Sequence, residues 1–462
     1  MGEKNETKKS VVKFAGIEVP PELTKGNFFF LFFNTFLMGI LTCVLAILQP
    51  AFLKNIIKVS PDFFGSINGL LMNINEVATL ALAALIGALS DKVGRKILAF
   101  LGFAVLTIFF YLLGLSNGIA SFLHIPAGVS SQVCSLLSFV PSQSAQFTGF
   151  APGLFITYII RLFIGIGIVL LFPQFITMAA DYTYEKDRGK GMAFNGLMMG
   201  VASVAVFAVL ASVQKIYGVE SLFPIVSAIA LTGALCTWIF LKERLPEQKQ
   251  EKKGLGEIFG IVRKSPALKA SYLCTLVTRA DMIIIAAFLV SWAVKVGDTY
   301  GLTSEAATQK IALPMIAMSM VTLIAFPVVG ILLDKWGRVP TIILALASGG
   351  AGMVLLSVCS DPFSGMVFIG VVLVAVGIAG SMAGANTLAT DVSPGGMVGT
   401  ILGGLNTMQP ISIMFFVGLG GYLFDAFSPG WAFAIKGAAN LILCVWLFMV
   451  KGRISASLHQ KM

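Results

Sequence analysis

The sequence predicts an all-α polytopic membrane protein of twelve transmembrane helices in two pseudo-symmetric six-helix bundles. Three observations carry that expectation. The 462 residues are 57% hydrophobic and only 12% charged, a composition that belongs in a bilayer rather than in water. The apolar residues gather into twelve runs, each long enough to cross ~30 Å of hydrocarbon as a helix of about 20 residues. One charged phrase, Gly-x-x-x-Asp-Lys-x-Gly-Arg, stands at 87–95 and again at 330–338, each time wedged between apolar runs.

Taken in order, residues 1–27 form a polar, lysine-bearing tail. The run from Phe28 has no small-residue cleavage site, so it reads as a retained first helix and not a signal peptide. The expected spans of the first bundle, 28–241, are 28–50, 63–89, 97–116, 152–179, 190–213 and 221–241. Within it, residues 117–151 contain no Lys, Arg, Asp or Glu and only His124 among titrating groups; an inert interfacial loop and a lid both fit. A linker at 242–268 is the most charged stretch, with a short apolar-periodic piece from Leu255 to Val262 that suits a surface-lying helix. The second bundle, 269–450, holds 269–293, 311–333, 340–358, 365–389, 396–423 and 430–450, followed by a tail at 451–462.

The net charge of +10 is explained by its placement. Roughly 24 Lys/Arg fall on the side shared by the two ends, the two repeated turns and the linker, which is the positive-inside bias. The opposite side has Lys54, Lys58, Lys215, Lys295 and Lys310, and the spans hold Arg161, Arg279 and Lys436. Both termini are therefore expected in the cytoplasm, with the chain in the cell membrane, and no nucleic-acid partner is needed. The six cysteines and two histidines suggest neither a disulfide framework nor a metal site. No catalytic set and no cofactor is expected.

The repeated turn, the twelve runs and the basic linker together resemble the major facilitator superfamily, over essentially the whole chain. In that family the phrase Gly-x-x-x-Asp-(Arg/Lys)-x-Gly-Arg-(Arg/Lys) lies between the second and third helices and a degenerate copy lies between the eighth and ninth. Here the first copy is complete through Lys96 but has Leu98 where a further basic residue is usual, and the second continues with Val339-Pro340. Glycine allows a tight turn and close approach, the aspartate can face a helix N-terminus, and the basic residues sit in the headgroup layer. The resemblance makes Asp91, Arg95, Asp334 and Arg338 gating residues. Asp91 is expected to face the glycine-rich start of the eleventh helix at Pro394-Gly395-Gly396, and Asp334 that of the fifth at Arg188-Gly189-Lys190-Gly191, when the pocket opens outward. A merely topological role is the alternative. Asp181, Arg188 and Asp391, flanking the fourth-to-fifth turn and its counterpart, complete the gating set. Glycines at 395, 399 and 403 and at 196 and 200 offer faces for close helix contact.

Ionisable residues inside a span cost about 2.5–3.5 kcal/mol each on insertion scales and are usually paired or line a wet cavity. Glu76 stands mid-span in Asn73-Ile74-Asn75-Glu76, Arg161 in the fourth helix, and Arg279 and Asp281 in the seventh. Lys436 lies close enough to a span end to snorkel outward. Arg161-x-x-x-Gly165-x-Gly167 resembles the fourth-helix motif in which the family's buried arginine is associated with proton coupling, although Ile164, Ile168 and Val169 depart from it. Glu76 reads either as a protonation site or as a static ion pair with Arg161. Arg279 and Asp281, two apart, point in different directions and are not each other's simple partner; Arg279 suits a carboxylate or phosphate on the substrate. Asn73, Asn386, Asn406 and Gln409 are further pocket candidates.

The expected function is secondary active transport of a small organic solute, anionic or zwitterionic, moved with protons by alternating access. A monomer in the lipid bilayer suffices. A proton-driven exporter of lipophilic or drug-like compounds is the alternative, and the absence of a Gly-Pro step in the fifth helix counts against it. A non-transporting sensor or scaffold on the same fold is the other, and a membrane enzyme is the weakest.

Overall fold

The computed structural model describes residues 12–138, 145–244, 255–394 and 397–459. The side chains of Asp91 and of 145–146, 255–259 and 455–459 lie outside the described set. Among the described residues, twelve helices are long and apolar enough to cross a membrane: Lys25–Ile57, Pro61–Ser90, Arg95–Gly114, Phe147–Asp181, Glu185–Tyr217, Val219–Phe240, Pro266–Tyr300, Ser304–Lys335, Arg338–Val358, Gly365–Val392, Val398–Ala426 and Gly430–Ile454. They are the first to twelfth spans below. An even number of crossings puts residues 12 and 459 at one face, the terminal face, and the other is the opposite face.

Several bounds differ from the sequence expectation for physical reasons. The first span runs on past residue 50 to Ile57 because Lys54 and Asn55, which read as loop polar groups, find partners across the molecule. The eighth begins at Ser304, where the Thr303 hydroxyl caps the helix by accepting from the amide of Ala306 at 3.2 Å. The uncharged segment folds as two short helices, Ser116–Phe122 and Ala127–Ser138. The fourth span's helix starts at Ala145. On the linker, a helix runs from Leu255 to Lys264.

Packing repeats between the halves. The third span lies against the fourth and sixth, and the ninth against the tenth and twelfth; the first lies against the fifth, and the seventh against the eleventh. Between halves, the second packs on the eleventh and the fifth on the eighth, the exchange a pseudo-twofold axis produces. Near the opposite face one buried cluster joins both halves, with Leu48 and Phe52 from the first and Ile285, Phe288 and Met318 from the second. Near the terminal face the second half keeps a separate cluster, including Leu268, Ile342, Leu388, Ile401 and Leu447.

Three spans leave regular α-geometry in the region where the halves meet. Five-residue π-turns occupy Leu53–Ile57, Val206–Leu210 and Ile285–Leu289. The seventh is also interrupted at Arg279-Ala280, between Pro266–Thr278 and Asp281–Ile284. At the terminal face Lys13–Phe14 and Ile17–Glu18 form a hairpin through Ala15 and Gly16, both at positive φ. Phe14 packs against Phe28, Phe32 and Phe194 at 5.9–6.2 Å between ring centroids.

Candidate functional site

The second and eleventh spans touch backbone to backbone at the opposite face. A Cβ on Gly65 would stand 2.8 Å from the Gly421 carbonyl oxygen, one on Gly421 2.5 Å from that of Gly65, and one on Gly69 2.9 Å from that of Val417. The Asp425 carboxylate, at the end of the eleventh span, accepts from the amides of Gly65 at 2.8 Å and Ser66 at 2.6 Å. A charge from one half therefore caps a helix N-terminus of the other. Beside it Lys54 Nζ donates to Asp298 at 2.8 Å, and Asn55 donates to Glu305 at 2.5 Å.

Deeper in, Asn68 donates to the Ala287 carbonyl at 3.2 Å and to Ser291 Oγ at 2.9 Å. The Asn73 amide reaches the Met414 carbonyl at 3.1 Å, and the Ser203 and Ser319 hydroxyls meet at 2.9 Å. Among the described residues the hydrogen bonds between halves lie from this level to the opposite face. On the terminal side of it, a Cβ added to Gly196 or Gly403 would meet nothing within 4 Å. The molecule is closed at the opposite face and cleft toward the terminal face. Of the glycines at 196, 200, 395, 399 and 403 expected to allow close helix contact, Gly200 faces Leu323 of the eighth span at 3.4 Å from an added Cβ and Gly196 and Gly403 face open space; the backbone-to-backbone contacts are those of Gly65, Gly69 and Gly421. Residues 395–396 lie outside the described set.

Glu76 stands one turn beyond Asn73, where the halves part. Glu76 and Arg279 each stand eight residues from the Asn68–Ala287 contact, on its terminal-face side, one on the second span and one on the seventh. Both are partly exposed. The Arg279 guanidinium donates to Asn386 Oδ1 at 3.3 Å. Glu76 has no ion-pair partner within 4 Å among the described residues, so the static pair with Arg161 is not made. Arg161, 1% exposed, instead donates through Nη2 to the Leu71 carbonyl at 3.0 Å. Its Nε and Nη1, with Asn73 Oδ1 and Asn75 Oδ1, are buried without a hydrogen-bond partner among the described residues. Gly165 admits Asn75, whose Oδ1 would be 3.3 Å from a Cβ there. A knot of unmet donors and acceptors thus borders the cleft apex and suits water or a polar solute.

The seventh helix's second charge is used differently. Asp281 is ion-paired with Lys436 of the twelfth span, both fully buried. Lys436 also donates to Asn440 Oδ1 at 2.9 Å and to the Val277 carbonyl, and Asn440 donates to Asp281 at 3.1 Å. Lys436 does not snorkel: a charged partner in the bundle replaces the route to solvent. The missed signal was Lys436-x-x-x-Asn440, two polar residues on one face of an apolar helix. Asn406 and Gln409 are exposed on the eleventh helix.

The repeated turns are built alike. Gly94 and Gly337 have φ of +102° and +91°, a region L-residues avoid. Arg95 is ion-paired with Asp181; Arg338 bonds Asp391 at 2.8 Å and Asp334 at 3.2 Å. Each motif arginine therefore rests on an acid at the end of the fourth or tenth span of its own half. Arg188 is exposed, and Asp181 is joined by Arg95 and not by it. Glu243, unmarked in the sequence reading, caps the third span through the amides of Arg95 at 3.0 Å and Lys96 at 2.8 Å. Tyr182 hydroxyl donates to the Lys242 carbonyl at 2.6 Å; burial holds this phenol above its ordinary pKa, so it stays a donor.

A family model described as Major Facilitator Superfamily matches residues 30–321 and 273–458. The chain is 26% identical over 409 residues to the magnetosome protein MamH of Paramagnetospirillum magneticum, covering 88% of each chain. It is 23% identical over 417 residues to the magnetosome protein MamZ of Magnetospirillum gryphiswaldense, covering 88% of this chain and 60% of that one. Among solved structures it is similar to a D-xylose-proton symporter at TM-score 0.67 and 15% identity, covering 91% of this chain and 96% of that one. It is also similar to a peptide transporter, POT, in complex with sulfate, at TM-score 0.68 and 15% identity, covering 97% of each.

Proposed function

Because the chain belongs to the major facilitator superfamily, as an integral multi-pass membrane protein with the transporter fold, we propose that it moves a small anionic or zwitterionic organic solute by alternating access, coupled to protons. The observation that carries this reading is that Glu76 and Arg279, one from each half, are both partly exposed on the terminal-face side of the Asn68–Ala287 contact. A guanidinium held by Asn386 presents its remaining N–H groups to a carboxylate or phosphate. A carboxylate without an ion-pair partner, beside the unsatisfied Arg161 and Asn75 groups, is the simplest carrier of the coupling proton.

With both termini cytoplasmic, as the lysine and arginine bias indicates, the conformation is inward-facing. The cell membrane is the expected address, and the magnetosome named for the relatives is the other. Substrate leaves through the terminal-face cleft; the halves then rock, the opposite-face contacts part, and the repeated turns swing from their own acids toward the starts of the eleventh and fifth spans.

The test is a panel of labelled solutes offered to proteoliposomes with and without an imposed pH gradient. Glu76→Gln should abolish gradient-driven uptake while leaving counterflow within about threefold, because exchange needs no net proton movement. Arg279→Gln should raise KM by about tenfold or more through loss of a charge-assisted contact. Equal loss of both modes in Glu76→Gln, in protein that still folds, would remove Glu76 from coupling. A neutral lipophilic solute moved in preference to anions would point to export of drug-like compounds.

A further inference from the structure

The opposite face of the first half carries a cavity of about 840 Å³ that no step of transport uses. Lys54, Lys58 and His124 line it with Asn117, Ser60 and Ser121, between walls that include Ile57 and Phe150. Among the described residues no aspartate or glutamate lines it, and Asp62 meets its rim by accepting from Ser60 Oγ at 3.4 Å. A concave site lined by two lysines and a histidine is matched to an anion.

Two of its basic groups stand at helix ends. Among the described residues only three non-glycine residues have positive φ, and two of them, Lys58 at 63° and His124 at 50°, line this cavity. Each stands just past a helix end, in the left-handed conformation that commonly caps one; for His124 the Ile125 amide bonds the Ala120 carbonyl at 3.1 Å. The frame is visible: the Val59 amide bonds the Leu53 carbonyl at 2.9 Å, and Asn117 donates to the Ile56 carbonyl at 2.7 Å. Asn117 also fills the space beside Gly153, where a Cβ would meet its Oδ1 at 1.9 Å. His124 Nδ1 donates to the Phe122 carbonyl at 3.0 Å, so Nε2 is a donor to an anion when the ring is protonated.

Lys54 connects the cavity to the gate. It lines the cavity and also donates to Asp298 at 2.8 Å and to the Val294 carbonyl at 2.9 Å, both in the other half. We propose that this cavity binds a multiply charged carboxylate or phosphate anion, and that the bound anion competes with Asp298 for Lys54 and so loosens the closed opposite face.

The experiment titrates the full chain with sodium citrate, then with sodium phosphate, by calorimetry in nanodiscs of zwitterionic lipid. It is repeated in discs containing phosphatidylglycerol. The variants are Lys58→Asn with His124→Asn, since asparagine adopts the left-handed region more readily than other residues, and Asp298→Asn. Saturable binding is expected, weakened about tenfold or more in the double variant. Coupling is reciprocal, so Asp298→Asn should tighten it by about two- to fivefold. Loss of citrate and phosphate binding only in the phosphatidylglycerol discs would identify a lipid headgroup as the occupant of the same site. No saturable binding by either probe in zwitterionic discs would overturn the site, as would binding that survives the double variant but falls in Arg279→Gln, which would belong to the central cleft. Unchanged affinity in Asp298→Asn would overturn the link to the gate.

Discussion

Replacing Asp425 by asparagine should open the opposite face. The carboxylate accepts two amides from the first turn of the second span, at 2.8 and 2.6 Å. Asparagine keeps one acceptor oxygen and loses the charge. A hydrogen bond to an ionised group contributes about 1.5–3 kcal/mol net, and a charge at a partly buried helix terminus adds up to about 2 kcal/mol. A loss of about 1.5–3 kcal/mol from the closed state alone shifts the closed-to-open ratio by roughly ten- to a hundredfold. A protein about 1% open would become about 10% open at the lower figure and about half open at the upper. The assay is a spin-label distance measurement between Glu220→Cys and Ser360→Cys, exposed positions on connections at the opposite face of the two halves, with the six native cysteines replaced. A longer-distance population should grow in Asp425→Asn and more in Asp425→Ala. Unchanged populations in both, in protein with unaltered melting, would mean that apolar packing closes this face and the cap is incidental.

Other outcomes follow from the same geometry. Lys436→Met or Asp281→Asn alone leaves a buried partner uncompensated and should cost about 3–5 kcal/mol, seen as lost melting temperature in detergent, whereas Lys436→Met with Asp281→Leu should recover much of it. Equal losses in single and double variants would show that packing, not charge, is at stake. Gly94→Ala should destabilise by about 1–3 kcal/mol, since its φ of +102° admits few residues but glycine. Removing Glu243, which lies 2.8 Å from the added Cβ, should relieve only the steric share. Gly421→Ala, whose Cβ would press the Gly65 carbonyl at 2.5 Å, should lengthen the same label distance. Gly403→Ala, facing open space, should leave it unchanged.

The helices were legible because each apolar run is decided locally by length and composition. What escaped was set by partners far along the chain. Asp281 and its partners on the twelfth span, Lys436 and Asn440, are 155 and 159 apart in sequence, and both reach it directly. Nothing near Lys436 could reveal that it is neutralised in place. Asp425 lay just beyond an expected span end and so looked like an ordinary loop acid; its role appears only when the second helix's N-terminus is brought to it. Glu76, Arg161 and Arg279 were legible as costly residues, yet the partners of both arginines, the Leu71 carbonyl and Asn386, are fixed by packing. The motif arginines were found for the same reason the turns were, because a repeated phrase is visible without structure.

The resting places of those arginines bear on ancestry. Arg95 on Asp181 and Arg338 on Asp391 make each six-helix unit neutralise its own turn without help from the other. The turn arginine of each unit is thus neutralised even when the unit is made alone. An ancestral single-length gene could therefore have encoded a stable subunit that paired with a copy of itself, and fusion would have changed only the connection. The cross-half contacts at Asp425 and Lys54, by contrast, exist only when the two halves are joined.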